Sequence, residues 1–384
     1  MSILKYRVGI RGILCLIEHI LGYVFIIINN HIYSKQFKNR LRSLGYNSAE
    51  RQPGEDAYIR KWERLSNKVE PYSYRLFLRY IGQNENIVPE AVGRTFIEPV
   101  LNPIRYRAYY SDKNLYAQYL PKEFLPETIA RRINGGKILD SDYSLFVGDP
   151  FLCIPTYIKA LILKLSVDTD SGKGVTKLFR KGNGWETVDR EPFTVIDLEK
   201  YGNDWILQEA VEQHAFMARF CSTAVNTLRI AVYRSPKDEL PHVVASMMRI
   251  GKEGAYCDNG HAGGAGVGVN PKTGEVNHYA TDQYGNRYEK WNSVDFTKEK
   301  FVIPKWSSIL SFACEVARKN HHLRLLALDI CLDKEGNPKL LEYNCSGYSY
   351  WLFLYNAVDA LGDYTEEIIE YCSCHQVEQV KIIY

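Results

Sequence analysis

Residues 325–350, LLALDICLDKEGNPKLLEYNCSGYSY, hold two strands and the turn between them. Residues 325–332 alternate with the period of a strand, so Leu328, Ile330 and Leu332 point one way and Asp329 and Cys331 the other. Lys334-Glu335-Gly336-Asn337-Pro338 carries turn chemistry, and residues 339–343 open a second strand. A symmetric loop over 333–338 predicts Leu332 opposite Lys339 and Asp329 opposite Glu342. Opposed residues share a face with Cβ atoms roughly 4.5–5.5 Å apart, and Asn344, two residues on, joins it. Two carboxylates and an amide oxygen therefore converge. Facing acids repel unless a cation or a shared proton lies between them. Mg²⁺ takes oxygen ligands, commonly one or two carboxylates with substrate phosphates. An exposed hairpin whose acids face water accounts for the same letters. Asn344-Cys345-Ser346 also fits a glycosylation acceptor, with nothing else pointing to secretion.

These residues resemble the C-terminal metal site of ATP-grasp enzymes, where an Asp on one strand and a Glu-x-Asn on the next hold the magnesium of Mg-ATP. More narrowly, the chain is similar over residues 109–355 to the sugar-transfer-associated ATP-grasp proteins, related to the teichuronopeptide-synthesis type. The resemblance implies an α+β fold in which two α+β lobes clasp ATP between sheets, after a mainly helical N-terminal region. It implies ATP and Mg²⁺ as cofactors, with Asp329, Glu342 and Asn344 as the metal ligands. The expected division is 1–108, 109–220 with the phosphate lid, and 221–384 with the metal site.

Upstream, Asn226-Thr227-Leu228-Arg229-Ile230 leads into an alternating strand. An Arg on its otherwise apolar side must find an anion or carry a heavy desolvation cost. A structural salt bridge meets that demand as well as a substrate does. The letters match the family's N-T-x-R, which implies Arg229 on the γ-phosphate or the carboxylate being activated, with Asn226 beside it.

Residues 155–180 read as strand, glycine-containing loop and strand. Lys164 ends the apolar run, and glycines in the loop let backbone N–H groups close around a phosphate. No Walker A pattern is present. A simple hairpin tip with Lys164 exposed is the alternative. The stretch resembles the family's K-P-S-x-D-S-G-x-G-K-x-V, which implies Lys164 as the phosphate-binding lysine and Ser171, Gly172, Lys173 and Gly174 as a lid. Leu165 stands where the family has Pro, and one glycine step replaces a longer run. In the strand 205–211 the resemblance makes Glu209, Ala210 and Val211 the hinge that reads adenine, with Gln213 nearer the ribose. A generic strand end has the same letters.

Asp258-Asn259-Gly260-His261 resembles the family's D-N…G-G segment near nucleotide and acceptor. Turn formation explains Asp258 and Asn259 equally, and His261 reads as local rather than catalytic. Asp112 is expected to cap a helix over 113–120 and Pro126 to open another. This part resembles the DKN…P-x-T-x-x-R segment that precedes the family's nucleotide-binding half.

At 384 residues, with 46% apolar and 24% charged, the chain reads as globular, and a net charge of +3 does not argue for nucleic acid. Nine scattered cysteines without a signal peptide point to free thiols in the cytoplasm. Cys372-Ser373-Cys374-His375 lacks a second pair at zinc spacing and reads as a helix end. The most apolar stretch is 8–28, with Glu18 and His19 at its centre. Burying Glu18 in a spanning helix costs about 3 kcal/mol. Basic flanks at Lys5, Arg7, Arg11, Lys35, Lys38, Arg40 and Arg42 suit an anionic membrane surface, so residues 3–42 are expected to make peripheral membrane contact. A buried helix or a homodimer contact is the alternative. Residues 31–92 carry no chemical motif, while 307–322 and 356–374 are expected to be helices.

For function, the resemblance implies ATP-dependent ligation of a carboxylate, such as a uronic or amino acid, to an amine or thiol in surface- or capsular-polysaccharide synthesis. An acyl phosphate would be the intermediate. Ligation needs no side-chain nucleophile, and no Ser/His/Asp or Cys/His set is evident. Two other readings stand beside it: a sugar kinase on the same scaffold, and a non-catalytic nucleotide-binding scaffold of a glycan-assembly complex. The presence of Lys164, Arg229, Asp329, Glu342 and Asn344 together argues against the scaffold.

Overall fold

A computed structural model describes residues 2–167, 174–255, 258, 260 and 263–375. Ser171, Gly172 and Lys173 of the expected lid lie outside the described residues, as do Asn259 and His261.

Three helices come first: α1 (Ser2–Ser43), α2 (Glu55–Trp62) and α3 (Tyr72–Ile81). Six strands follow: β1 (Thr128–Arg132), β2 (Ala160–Leu165), β3 (Val175–Lys181), β4 (Gly184–Thr187), β5 (Pro192–Phe193) and β6 (Trp205–Glu209). They form an antiparallel sheet in the order β1-β6-β2-β3-β4-β5. The second half contributes β7 (Thr227–Arg234), β8 (Pro241–Ile250), β9 (Ala265–Val269), β10 (Val276–Thr281) and β11 (Arg287–Tyr288). A two-stranded ribbon, β12 (Lys290–Trp291) with β13 (Val294–Asp295), precedes the hairpin β14 (Leu325–Leu332) and β15 (Pro338–Asn344). The large sheet runs β11-β10-β9-β8-β7-β14-β15, also antiparallel. The expected α+β architecture is present, with an N-terminal helical region and two sheets.

Within the hairpin, the turn is one residue tighter than a symmetric six-residue loop. Leu332 pairs with Pro338 rather than Lys339. The Asp333 carboxylate accepts from the Glu335 and Asn337 amides at 3.1 and 2.8 Å, and Gly336 takes φ +81°, the left-handed region open to glycine. A register shift then sets Ile330 against Leu340 but Asp329 against Glu342, leaving Leu341 as the extra residue of a bulge. The acids face each other as expected, by a different route.

All eight residues of β14 are buried, because both faces of the sheet are covered. Leu328 and Ile330, with Leu228 and Met248, pack under the helix Trp306–Arg318 through Ile309, Phe312 and Val316. On the other face, Leu325, Ala327, Ala231 and Tyr233 lie under Phe37, Tyr74, Phe77 and the helix Tyr350–Tyr355. The N-terminal region thus shares its core with the large sheet. Each such aromatic or aliphatic side chain contributes about 1.5–3 kcal/mol on burial. Gly93 is required there, since a Cβ would lie 2.2 Å from the Tyr350 ring.

Three expectations shift. Pro126 opens no helix: Thr128–Arg132 pairs with β6 as an edge strand, and buried Arg131 donates to the Asn114 carbonyl at 2.6 Å. Asp112 caps only the 3₁₀ turn Lys113–Leu115 before the short helix Tyr116–Tyr119. The helix expected over 356–374 is confined to Thr365–Ser373, preceded by Ala357 at φ +58° and the 3₁₀ turn Gly362–Tyr364.

α1 is a single 42-residue helix. Phe37 and Leu41 are sealed in the core, whereas Ile13, Leu16, Ile20, Val24 and Ile28 are exposed. From Gly12 onward it is long and apolar enough, by length and composition, to cross a membrane.

Candidate active site

The half of the large sheet's face left open by the N-terminal helices carries the charged residues. Successive side chains alternate between faces, so Thr227 and Arg229 of β7, Met247 and Arg249 of β8, and Asp329 of β14 share this one. Asp329 is flanked in register by Arg229 on one strand and Glu342 on the other.

Asp329 is 1% exposed. Arg229 grips it with two bonds, Nε to Oδ1 and Nη2 to Oδ2, both 2.8 Å, and Arg249 adds a third at 3.1 Å. Burial would raise the Asp329 carboxyl, but the two guanidinium groups outweigh it and hold the carboxyl below its usual range. Arg249 also pairs with Asp258 at 3.2 Å, and Asp258 accepts from the Thr227 amide at 3.2 Å and from its hydroxyl. At Asp258 burial prevails and pushes the carboxyl up despite Arg249. The Asn344 amide nitrogen donates to the Ala327 carbonyl at 3.2 Å, which fixes the side chain while it also bonds Asp329.

The small sheet contributes Lys164 at the end of β2. Its ammonium donates at 3.2 Å to the carbonyl of Leu341, the residue at the β15 bulge. Burial and neighbouring Lys113 push it down to about 8. Lys113 reaches Glu342 at 3.1 Å from the capped turn, which is tied to β2 by its amide bond to the Ser166 carbonyl. Four cations, Lys113, Lys164, Arg229 and Arg249, therefore surround three carboxylates, Asp258, Asp329 and Glu342. The surplus is positive and suits an anion such as a polyphosphate.

Two cavities meet at this cluster. One, of about 190 Å³, lies between the sheets and is lined by Ile162, Lys164, Val175, Glu209, Val211 and Leu341. The other, of about 210 Å³, runs towards Asp282, Gln283, Trp351 and Tyr355. Arg249, Asp258 and Glu342 line both. At the hinge, the Glu209 amide bonds the Glu127 carbonyl and the Ala210 amide the Ala160 carbonyl, at 2.8 and 3.0 Å. Ala210 faces a third cavity, of about 450 Å³, beside Asp333 and Lys334. Gly174, the described end of the expected lid, has φ +68° and leads into β3.

Asn226 and Gln213 sit together but outside these cavities' linings. The Asn226 amide donates to Gln213 Oε1 and to the Met217 and Cys221 carbonyls at 3.0, 2.8 and 2.9 Å, while its oxygen accepts from the Gly251 amide at 3.2 Å. Gln213 in turn donates to the Cys221 and Ala224 carbonyls. The pair locks the loop before β7 and so positions Arg229.

Sequence reasoning gave Lys113 and Arg249 no role of their own, although both lie in segments similar to the family's, and left Asp258 open between substrate binding and a turn. Arg249 carried the signal that singled out Arg229: a guanidinium between Met248 and Ile250 in an apolar strand. Asp258 and Lys113 lie on irregular segments, where only the tertiary fold brings them in.

The donors at the cluster suit Mg²⁺. Asp329, Glu342 and Asn344 offer hard oxygens only. Among the described residues no three His, Cys, Asp or Glu side chains gather as an all-protein metal cage. That composition matches an ion shared with substrate phosphates.

Residues 156–357 match the family described as sugar-transfer associated ATP-grasp. Comparison with curated proteins gave no match. Among solved structures, the chain is similar to the ATP-grasp ligase PsnB complexed with a phosphomimetic variant of its minimal precursor, Mg and ADP. Identity is 16%, over 83% of this chain and 74% of that one, with a TM-score of 0.38. The D-cycloserine synthetase DcsG gives 12%, 71%, 72% and 0.39 in the same terms. The D-alanine–D-alanine ligase from Coxiella burnetii gives 10%, 69%, 58% and 0.37.

Proposed function

Because the chain belongs to the sugar-transfer-associated ATP-grasp family, its two facing antiparallel sheets being the lobes of that fold, we propose that it joins a carboxylate to an amine at the expense of ATP. The observation that carries this reading is the meeting of two cavities at one cationic cluster, with Asp329, Glu342 and Asn344 beside it.

In this reading ATP lies between the lobes against Glu209–Val211, and its phosphates reach Lys164 and Lys113. Asp329, Glu342 and Asn344 would hold Mg²⁺, which supplies charge neutralisation on the phosphate oxygens. The acceptor carboxylate enters by the second cavity and meets Arg249 and Arg229. Attack of that carboxylate on the γ-phosphorus breaks the bond to the β-phosphate oxygen and gives an acyl phosphate and ADP. An amine then attacks the acyl carbon, inorganic phosphate leaves, and an amide forms with loss of the amine proton. Both steps build negative charge that Arg229 and Lys164 stabilise by fixed position. Asn226 and Gln213 act through Arg229, as positioning residues. The family's association with sugar transfer supports a place in surface-polysaccharide synthesis, with a uronic or amino acid as the carboxylate. The catalytic body is assigned to the cytoplasm, where ATP is supplied.

Hydroxylamine tests the chemistry. With Mg-ATP and a panel of uronic and amino acids, the protein is expected to yield a hydroxamate together with ADP and phosphate, and Asp329→Asn to lose it. A stable phosphorylated sugar without hydroxamate would replace the ligase reading with a kinase.

A further inference from the structure

Along residues 13–28 of α1 the large aliphatic side chains face outward. At 3.6 residues per turn, Ile13, Ile17, Ile20, Val24, Ile27 and Ile28 fall on one broad face, and all six are exposed. Continuing down the same face, the next outward positions are Lys35, Lys38 and Arg42. Apolar and basic side chains therefore succeed each other along the axis instead of lying on opposite faces.

That order separates two ways of meeting a bilayer. A helix lying in the membrane plane keeps its basic residues on the face away from the lipid. Here they continue the lipid-seeking face, so the boundary between hydrocarbon and headgroups cuts across the axis between Ile32 and Lys35. Residues 12–32 rise about 30 Å, the thickness of the hydrocarbon layer. We propose that α1 enters a lipid bilayer steeply, with residues 12–32 in the hydrocarbon and Lys35, Lys38 and Arg42 among anionic headgroups. Glu18, half-buried, already has an interaction partner in the fold, and it shares the narrower side of the helix with Gly22 and Asn29. A second copy of the chain would cover one seam of α1; the exposed aliphatic face is broader than a coiled-coil seam.

The base of α1 is joined to the site. Arg40 donates to Asn286 Oδ1 at 2.9 Å, and the Asn286 amide bonds Asp282, which lines the second cavity. Tyr80 donates to the Gly285 carbonyl at 2.6 Å in the same loop. Arg40 lies about 12 Å down the axis from Ile32. On the ligase reading, the acceptor cavity opens just beneath the headgroups.

Flotation of the full chain with vesicles of phosphatidylcholine, with and without phosphatidylglycerol, tests the insertion. The protein is expected to float with both, better with the anionic lipid, and to stay bound through molar salt and alkaline carbonate. The triple variant Ile13→Glu, Ile20→Glu, Val24→Glu replaces exposed side chains. It should remain unfloated with its melting temperature and Mg-ATP affinity unchanged. A wild type that does not float, that salt releases, or that floats no better than the triple variant overturns the proposal. So does a soluble dimer that the triple variant splits, which would make a second copy the occupant. Loss of hydroxamate formation with flotation intact would instead count against the ligase reading alone.

Discussion

Two buried arginine–carboxylate pairs in this molecule look alike and sit in different company. In the N-terminal region Arg75 holds Glu55 with bonds of 2.8 and 2.7 Å, and its remaining nitrogen donates to the Ser48 carbonyl at 2.7 Å. On the large sheet Arg229 holds Asp329 with two bonds of 2.8 Å. The first pair is closed, with its donors spent inside the fold. Around the second stand another guanidinium, two lysines and the oxygens of Glu342 and Asn344, at the junction of two cavities. A bidentate ion pair is thus no sign of function by itself; charge left over around it is.

Arg229→Ala should separate the pairs most sharply. Turnover is expected to fall on the order of 10²–10³-fold, as when one fixed electrostatic group is lost, while Mg-ATP affinity changes little. Steady-state kinetics with calorimetric titration checks both, and unchanged turnover would put Arg229 beside Arg75 as structural. Arg75→Ala should do the reverse. It leaves Glu55 with the exposed Arg51 at 3.5 Å as its cation and the Gln52 amide at 3.3 Å, at a cost of about 3–5 kcal/mol in denaturant unfolding. Arg229→Ala leaves Asp329 bonded to Arg249 and should cost less stability than that.

Glu342→Gln should weaken Mg-ATP binding roughly 10–100-fold with no change in melting temperature. Because the cluster is net cationic, Mg²⁺ without nucleotide should give no heat of binding to the wild type; a tight metal-only site would contradict that charge balance. The smallest effect concerns Lys164, which releases its proton near pH 8 in the free protein. Polyphosphate favours the charged form and raises that value, so above about pH 8 binding takes up a proton and affinity declines as pH rises. Titrations in buffers of different ionisation enthalpy measure the uptake, and Lys164→Arg should abolish it.

The hairpin of β14 and β15 was legible because alternation and turn chemistry are local, and so was the strand–loop–strand carrying Lys164. The Asp329–Glu342 pairing was reached from a loop one residue too long, the bulge at Leu341 making up the difference. What local pattern could not give is what distant chain segments decide. Pro126 opens a strand because β6 lies beside it. Asn226, expected beside Arg229, bonds Gln213 and three backbone groups, surroundings that come from the loop 213–221 and Gly251. Residues 31–92 carried no motif because they serve packing: Tyr58 lies against Tyr74, and Phe77 meets Tyr355 from the far end of the chain.

The bulge has a consequence for how this hairpin tolerates change in length. Phase along β15 is reset at Leu341, three residues past the turn, so the tip and the acid pair are separately indexed. One residue added to the 333–337 loop, with Leu332 still paired to Pro338 and the bulge kept, leaves Asp329 facing Glu342. Deleting Leu341 alone leaves Glu342 next to Leu340 and still opposite Asp329, but withdraws the carbonyl on which Lys164 rests. Insertions at the tip should therefore be nearly silent, and a single deletion at the bulge should be felt at Lys164 before it is felt at the acid pair.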